Sequence, residues 1–211
     1  MKQAPKLGFN LLRSPRLITT IAPYARHPLR SNWDVGEPWW NHRAMQYVKA
    51  RLPASGEAFE WGSGGSTVWL AAQGLHVTSI ESDSKWAERV SRRCSSADVR
   101  YIPGADTGTL RSEPQLDDEG RHFFDAYVSA IDDVAPRSLD IVVIDGICRV
   151  QCARRTSDKV KPNGMVVLDD TNWDFLRLDE SIFAGWQTVR LRGFKRMDGC
   201  VWETTCFLRP A

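Results

Sequence analysis

The stretch Phe59-Glu60-Trp61-Gly62-Ser63-Gly64-Gly65-Ser66-Thr67 decides how this chain is read. Ala58-Phe59-Glu60-Trp61 has the composition of a short strand and runs straight into glycines, while Ser66 to Gln73 reads as a short helix closed by Gly74. Glycines at such a junction let the backbone turn sharply and approach a ligand closely. The helix that follows presents free N–H groups at its start. The next strand, His76 to Ile80, ends at Glu81. An acid about 20 positions after the turn can accept both hydroxyls of a ribose. Together these elements predict a nucleoside-binding unit.

Outward from this unit, strands and helices alternate. Residues 38–52 carry Trp40, Ala44, Tyr47 and Val48 at helical spacing, and Ser84 to Ser95 carries Trp86, Val90 and Cys94. Val99 to Ile102, Asp140 to Ile144 and Met165 to Leu168 read as strands, with helices expected over Arg121 to Ile131 and Val150 to Val160. Thr188 to Leu191 and Val201 to Leu208 follow each other with no helix between them, which predicts a hairpin. The fold class is therefore α/β: a doubly wound, mostly parallel, Rossmann-like sheet with an antiparallel edge strand and helices on both faces. Residues 1–36, with Pro5, Pro15, Pro23 and Pro28, read as an irregular basic N-terminal arm. Residues 37–211 read as one domain, with the polar segment 105–120 as a lid-like loop.

Composition agrees. Of 211 residues, 42% are apolar and 26% charged, which excludes a collagen, a coiled coil and a wholly disordered chain. No apolar run reaches the roughly 18–20 residues of a membrane helix, and Arg13, Pro15, Arg16 and Pro23 interrupt any secretory core, so a cytoplasmic location without membrane partners is expected. The net charge of +2 gives no strong whole-protein field. Lys2, Lys6, Arg13, Arg16, Arg26 and Arg30 nevertheless precede the first acid, Asp34. A solvated terminus is the favoured reading of that arm, and nucleic acid the disfavoured partner. Five cysteines at scattered positions suggest neither a disulfide framework nor a zinc site.

The identity of the nucleoside turns on detail. A dinucleotide fingerprint wants G-x-G-x-x-G, and here Thr67 stands at the third position. Glu60, two residues before the first glycine, suits a cofactor with a cationic amino group. At these residues the sequence resembles the class I S-adenosylmethionine-dependent methyltransferases, whose first motif E/D-x-G-x-G-x-G is matched by Glu60-x-Gly62-x-Gly64-x-Ser66 except at its end. The resemblance spans roughly residues 55–208. It implies that Glu60 and the backbone of Gly62, Ser63, Gly64, Gly65 and Ser66 hold the methionine end of S-adenosylmethionine. It further implies that Glu81 binds the ribose, that Ser82, Asp83 and Trp86 border the adenine, and that Asp106 lies near the adenine amino group.

Acids also end the later strands: Asp145 follows Ile144, and Asp169-Asp170 follow Leu168. Ligands bind at the carboxyl edge of such sheets. Adjacent strands lie about 4.8 Å apart, so three ionised carboxylates there repel unless one is protonated or a cation sits between them. The placement resembles the metal-dependent O-methyltransferases of the catechol and macrocin-type sugar families. That resemblance implies Asp145, Asp169 and Asp170 as ligands to Mg2+ or another divalent ion, with Asp145 also in contact with cofactor and taking the proton from an acceptor hydroxyl. Adjacent strand residues point to opposite faces, so Asp169 and Asp170 meet at one ion only if the strand has already turned.

Asn172, Trp173 and Asp174 are candidates to face the acceptor. His27 and His42 are weaker candidates as bases. Trp33, Trp39 and Trp40 are expected to dock the arm. The expected activity is methyl transfer to a hydroxyl of a sugar, a glycan or another small polar molecule. A nicotinamide-dependent oxidoreductase, and a non-catalytic scaffold binding nucleic acid or acidic glycan through its arm, remain the alternatives.

Overall fold

The computed structural model of the protein describes residues 30–113, 122–174, 176–196 and 200–211. Its strands are β1 (Gly56–Trp61), β2 (Leu75–Glu81), β3 (Asp98–Tyr101), β4 (Leu139–Ile144), β5 (Val160–Leu168), β6 (Gln187–Phe194) and β7 (Val201–Leu208). They form one sheet in the order β3-β2-β1-β4-β5-β7-β6. β1 to β5 run parallel, and β7 is antiparallel to both β5 and β6. The hairpin therefore closes the sheet, with β6 outermost and β7 inserted beside β5.

The helices are α1 (Asn32–Val35), α2 (His42–Lys49), α3 (Gly65–Ala72), α4 (Ser84–Arg93), α5 (Asp125–Ser129) and α6 (Arg149–Ala153). Side-chain alternation along the strands splits the core in two. Phe59, Trp61, Val142, Ile144, Val166 and Leu168 pack with Tyr127, Val128 and Ile131 on one face. Ala58, Ile141, Val143, Met165 and Val167 pack with Trp40, Ala44, Val48 and Leu70 on the other. Both faces of the central strands are buried, and their Val/Ile-rich runs reflect it.

Some elements differ from the sequence reading. The helix expected to run to Val160 stops at Ala153, and Pro162-Asn163-Gly164 lies inside β5 instead of before it. Asn163 adopts φ +63°, and the β4–β5 register shifts between Leu139 and Ile141, so an irregular strand start absorbs the turn residues. Part of the arm is ordered as α1. Ser31 caps that helix, accepting a hydrogen bond from the Asp34 N–H, while the Asp34 carboxylate accepts from the Ser31 backbone. Residues 1–29 and 114–121 fall outside the described residues. So do most of the arm, His27 and much of the lid-like loop.

Candidate active site

The sheet order reverses between β1 and β4, and β1 pairs with both β2 and β4. That junction is where ligands settle in open α/β sheets. Register then lines up one row of residues. Trp61 pairs with Ile144, Ile144 with Leu168, and Leu168 with Thr205. Gly62, Asp145 and Asp169 emerge side by side just past the carboxyl edge.

The glycine turn has been shaped by contact. Gly62 holds φ +90°, and a Cβ there would stand 2.5 Å from the Gly146 nitrogen. A Cβ on Gly65 would stand 2.0 Å from the Glu37 carbonyl oxygen, which crosses over the start of α3. Neither position accepts a side chain without displacing backbone. Ser66, at the motif's variant end, is buried in the first turn of α3.

Behind the turn, Glu60 is fully buried on the α3 side of the sheet. Its Oε2 accepts hydrogen bonds from Thr67 Oγ1 at 2.5 Å and Ser79 Oγ at 2.8 Å. The same Thr67 hydroxyl accepts from the Gly64 N–H at 2.9 Å. Burial raises the Glu60 pKa, against the hydrogen bonds from Ser66, Thr67 and Ser79. Glu60 thus braces the turn through Oε2 from the α3 face of the sheet, and its Oε1 is buried with no hydrogen-bond partner among the described residues.

Glu81 ends β2, and its carboxylate curls around the same turn. Oε2 accepts from the backbone and hydroxyl of Ser63 at 3.0 and 3.1 Å, and Oε1 from the N–H groups of Ser82 and Asp83 at 2.8 and 3.0 Å. Burial raises its pKa against these bonds.

A cavity of about 600 Å³ opens along the row. At one end it is lined by Gly62, Ser63, Gly64, Gly65, Ser66, Glu81, Ser82 and Trp86. Trp86 donates from its indole N–H to the Ser63 carbonyl at 2.7 Å and packs on Trp33 of α1, ring centroids 4.9 Å apart. The other end holds Asp145, Arg149, Asp170, Trp173, Lys195 and Trp202, with Trp39 at the rim, 60% exposed. Asp83 and Asp106, both expected near the cofactor, do not line it. Asp83 caps α4 through the Trp86 N–H at 2.8 Å, and Asp106 is exposed in a segment held away by the Ala105–Phe123 bridge. None of residues 105–113 lines the cavity. His42 does not line it either. Trp40 is a core anchor against Trp69.

The three strand-end acids do converge: Asp145, Asp169 and Asp170 each offer an oxygen within 4.8 Å of the others. Asp170 has φ +55°, so the strand has turned and its side chain comes round to the side of Asp169. Two cations that the sequence reading missed complete the cluster. Lys195, just past β6, donates to Asp169 Oδ2 at 2.6 Å and to Asp170 Oδ1. Arg149, in the first turn of α6, reaches Asp170 Oδ2 at 3.3 Å and Asp145 Oδ1 at 3.2 Å. It also donates to the carbonyls of Asp145, Gly146 and Asp169. Thr204 Oγ1 donates to Asp169 Oδ1 at 2.6 Å.

The repulsion expected of three bare carboxylates is thus relieved by the protein's own ammonium and guanidinium. Lys195, Arg149 and Thr204 between them engage both carboxylate oxygens of Asp169 and of Asp170. Asp145 is held well above the ordinary carboxylate range, by burial and by the neighbouring Asp169. Burial works to lower the Lys195 pKa, but Asp169, Asp170 and Asp145 outweigh it and raise it.

No family model matches the chain. No curated protein matches it in sequence. Solved structures do match in fold. An O-methyltransferase from Bacillus cereus in complex with S-adenosylhomocysteine aligns over 96% of this chain and 97% of its own, at 13% identity and TM-score 0.53. A methyltransferase-like protein from Silicibacter pomeroyi aligns over 83% and 90%, at 24% identity and TM-score 0.51. An rRNA methylase from Streptococcus thermophilus aligns over 81% and 96%, at 8% identity and TM-score 0.53. The chain has the fold of the class I S-adenosylmethionine-dependent methyltransferases.

Proposed function

We propose that the protein is a cytosolic S-adenosylmethionine-dependent methyltransferase acting on a hydroxyl of a small polar acceptor, a sugar being the favoured class. One observation carries this reading: a single cavity joins the Gly62–Gly65 turn and Glu81 at one end to Asp145 at the other. The turn would hold the cofactor's methionine end, since Gly62, Ser63, Gly64 and Gly65 all line the cavity there. Glu81 would bind the ribose, and Ser82 and Trp86, which line the same end of the cavity, would border the adenine. When bound, the cofactor would supply an electrophilic methyl group on a sulfonium.

The remaining chemistry belongs to this chain. Asp145 lines the cavity, and burial together with Asp169 raises its pKa, the direction that makes a carboxylate a stronger base. Arg149 fixes its orientation through Oδ1. Trp39, Trp173 and Trp202 offer apolar faces of the kind on which sugar rings and planar ligands stack, beside the acids that would accept hydroxyl hydrogen bonds. Positioning of acceptor oxygen and methyl group in line supplies much of the rate.

Calorimetry with S-adenosylhomocysteine and with NADH tests the cofactor assignment. Saturable binding of the first and none of the second is expected; the reverse pattern removes the reading. Asp145→Asn should keep S-adenosylhomocysteine binding and lose turnover, and an active variant would reject Asp145 as the base.

A further inference from the structure

We propose that Lys195 is the resident cation of the acidic cluster, filling the place a divalent metal would take among Asp145, Asp169 and Asp170, and that the chain carries a latent metal site which only the loss of this lysine uncovers.

The ammonium and a metal would compete for the same atoms. Lys195 Nζ already contacts Asp169 Oδ2 at 2.6 Å and Asp170 Oδ1. A hard divalent ion binds oxygen ligands at about 2.0–2.6 Å, so an ion on these two oxygens would press against the ammonium. The other oxygens are engaged as well: Asp169 Oδ1 by Thr204, Asp170 Oδ2 and Asp145 Oδ1 by Arg149. Among the described residues only Asp145 Oδ2 keeps no such partner.

The lysine is fixed in place. Its side chain is 6% exposed, and Nζ lies 5.1 Å from the ring centroid of Trp202. The fold delivers it there because β6 runs antiparallel to β7 and its end therefore meets the carboxyl ends of β4 and β5. Arg149 adds a second positive charge beside any incoming ion. An ion entering the wild-type cluster would meet two cations that already contact four of the six carboxylate oxygens. Without Lys195, three carboxylates within 4.8 Å are left with one counter-charge, and a divalent ion becomes the natural replacement.

Titrating the full-length protein with Mn2+, followed by electron paramagnetic resonance of the free ion and by melting temperature, tests this without any turnover. Wild type should show no saturable site that Asp170→Asn removes. Lys195→Gln should gain saturable Mn2+ binding roughly tenfold or more tighter than wild type, with a rise in melting temperature on adding the ion. Saturable wild-type binding abolished by Asp170→Asn would overturn the proposal. So would a folded Lys195→Gln that ignores Mn2+. The wild-type titration stands even where the variant does not fold. S-adenosylhomocysteine binding, measured on the same samples, reports separately on the cofactor assignment.

Discussion

Thr67 Oγ1 lies 2.5 Å from Glu60 Oε2 and at the same time accepts the Gly64 N–H at 2.9 Å. One hydroxyl therefore ties the end of β1 to the glycine turn and to the first turn of α3. The residue that spoils a dinucleotide fingerprint is the one that holds this version of the turn together.

Thr67→Val keeps the shape and removes both hydrogen bonds. It leaves the Gly64 N–H and one lone pair of Glu60 unsatisfied in a buried place. The expected loss is about 1–3 kcal/mol of stability, with weaker S-adenosylhomocysteine binding, both restored by Thr67→Ser. Urea unfolding and calorimetry read the two effects; an unchanged turn would leave both as in wild type.

Glu60 makes stability depend on pH. Its pKa in the folded chain is raised above the ordinary 4.5 by burial, so the folded state holds the proton more tightly than the unfolded state does. Its contribution is complete below the unfolded value and fades as pH rises through the folded one. Glu60→Gln cannot lose a proton. Its melting temperature should therefore fall less than that of wild type as pH rises above 4.5. Parallel curves for the two proteins would show that Glu60 titrates as an ordinary carboxyl.

Arg149 is 4% exposed and serves two carboxylates and three carbonyls. Removing one partner of a buried ion pair strands the other charge, at a cost of about 3–5 kcal/mol. Arg149→Ala should lose that much in chemical denaturation. Arg149→Lys should recover little of it, since one ammonium cannot reproduce a forked set of donors.

Gly65→Ala sets helix propensity against a steric clash. Alanine is favoured over glycine by about 0.8–1.0 kcal/mol in a helix interior, which is an upper bound at Gly65, the first residue of α3. Here its Cβ would meet the Glu37 oxygen at 2.0 Å. The clash should win: a lower melting temperature, faster proteolysis before residue 37 and weaker S-adenosylhomocysteine binding. A stabilised variant would mean that the Glu37 segment yields freely.

The parts legible in the sequence are the local ones. Strand, turn, helix and Glu81 follow one another within about two dozen residues, and each is marked by its own residue types. The acids after β4 and β5 are legible for the same reason, as polar residues directly after apolar runs. Lys195 and Arg149 obey that rule only once topology is known. Lys195 is 25 residues from Asp170 in sequence and reaches it because β6 and β7 pair antiparallel. Phe194-Lys195 does mark a strand end, but the edge of the sheet to which it belongs depends on strand direction. Glu60 shows a related limit: the motif gives its place in the chain, while the pleat decides which face it enters. The left-handed turn at Asp170 has no marker in residue type.

Trp86 and Trp173 line one and the same cavity. Two molecules housed there would be neighbours in one space. A single compound joining an adenosine head to a ring bearing hydroxyls could then occupy both halves at once. Its affinity would gain from having already given up the freedom that two separate molecules must each lose.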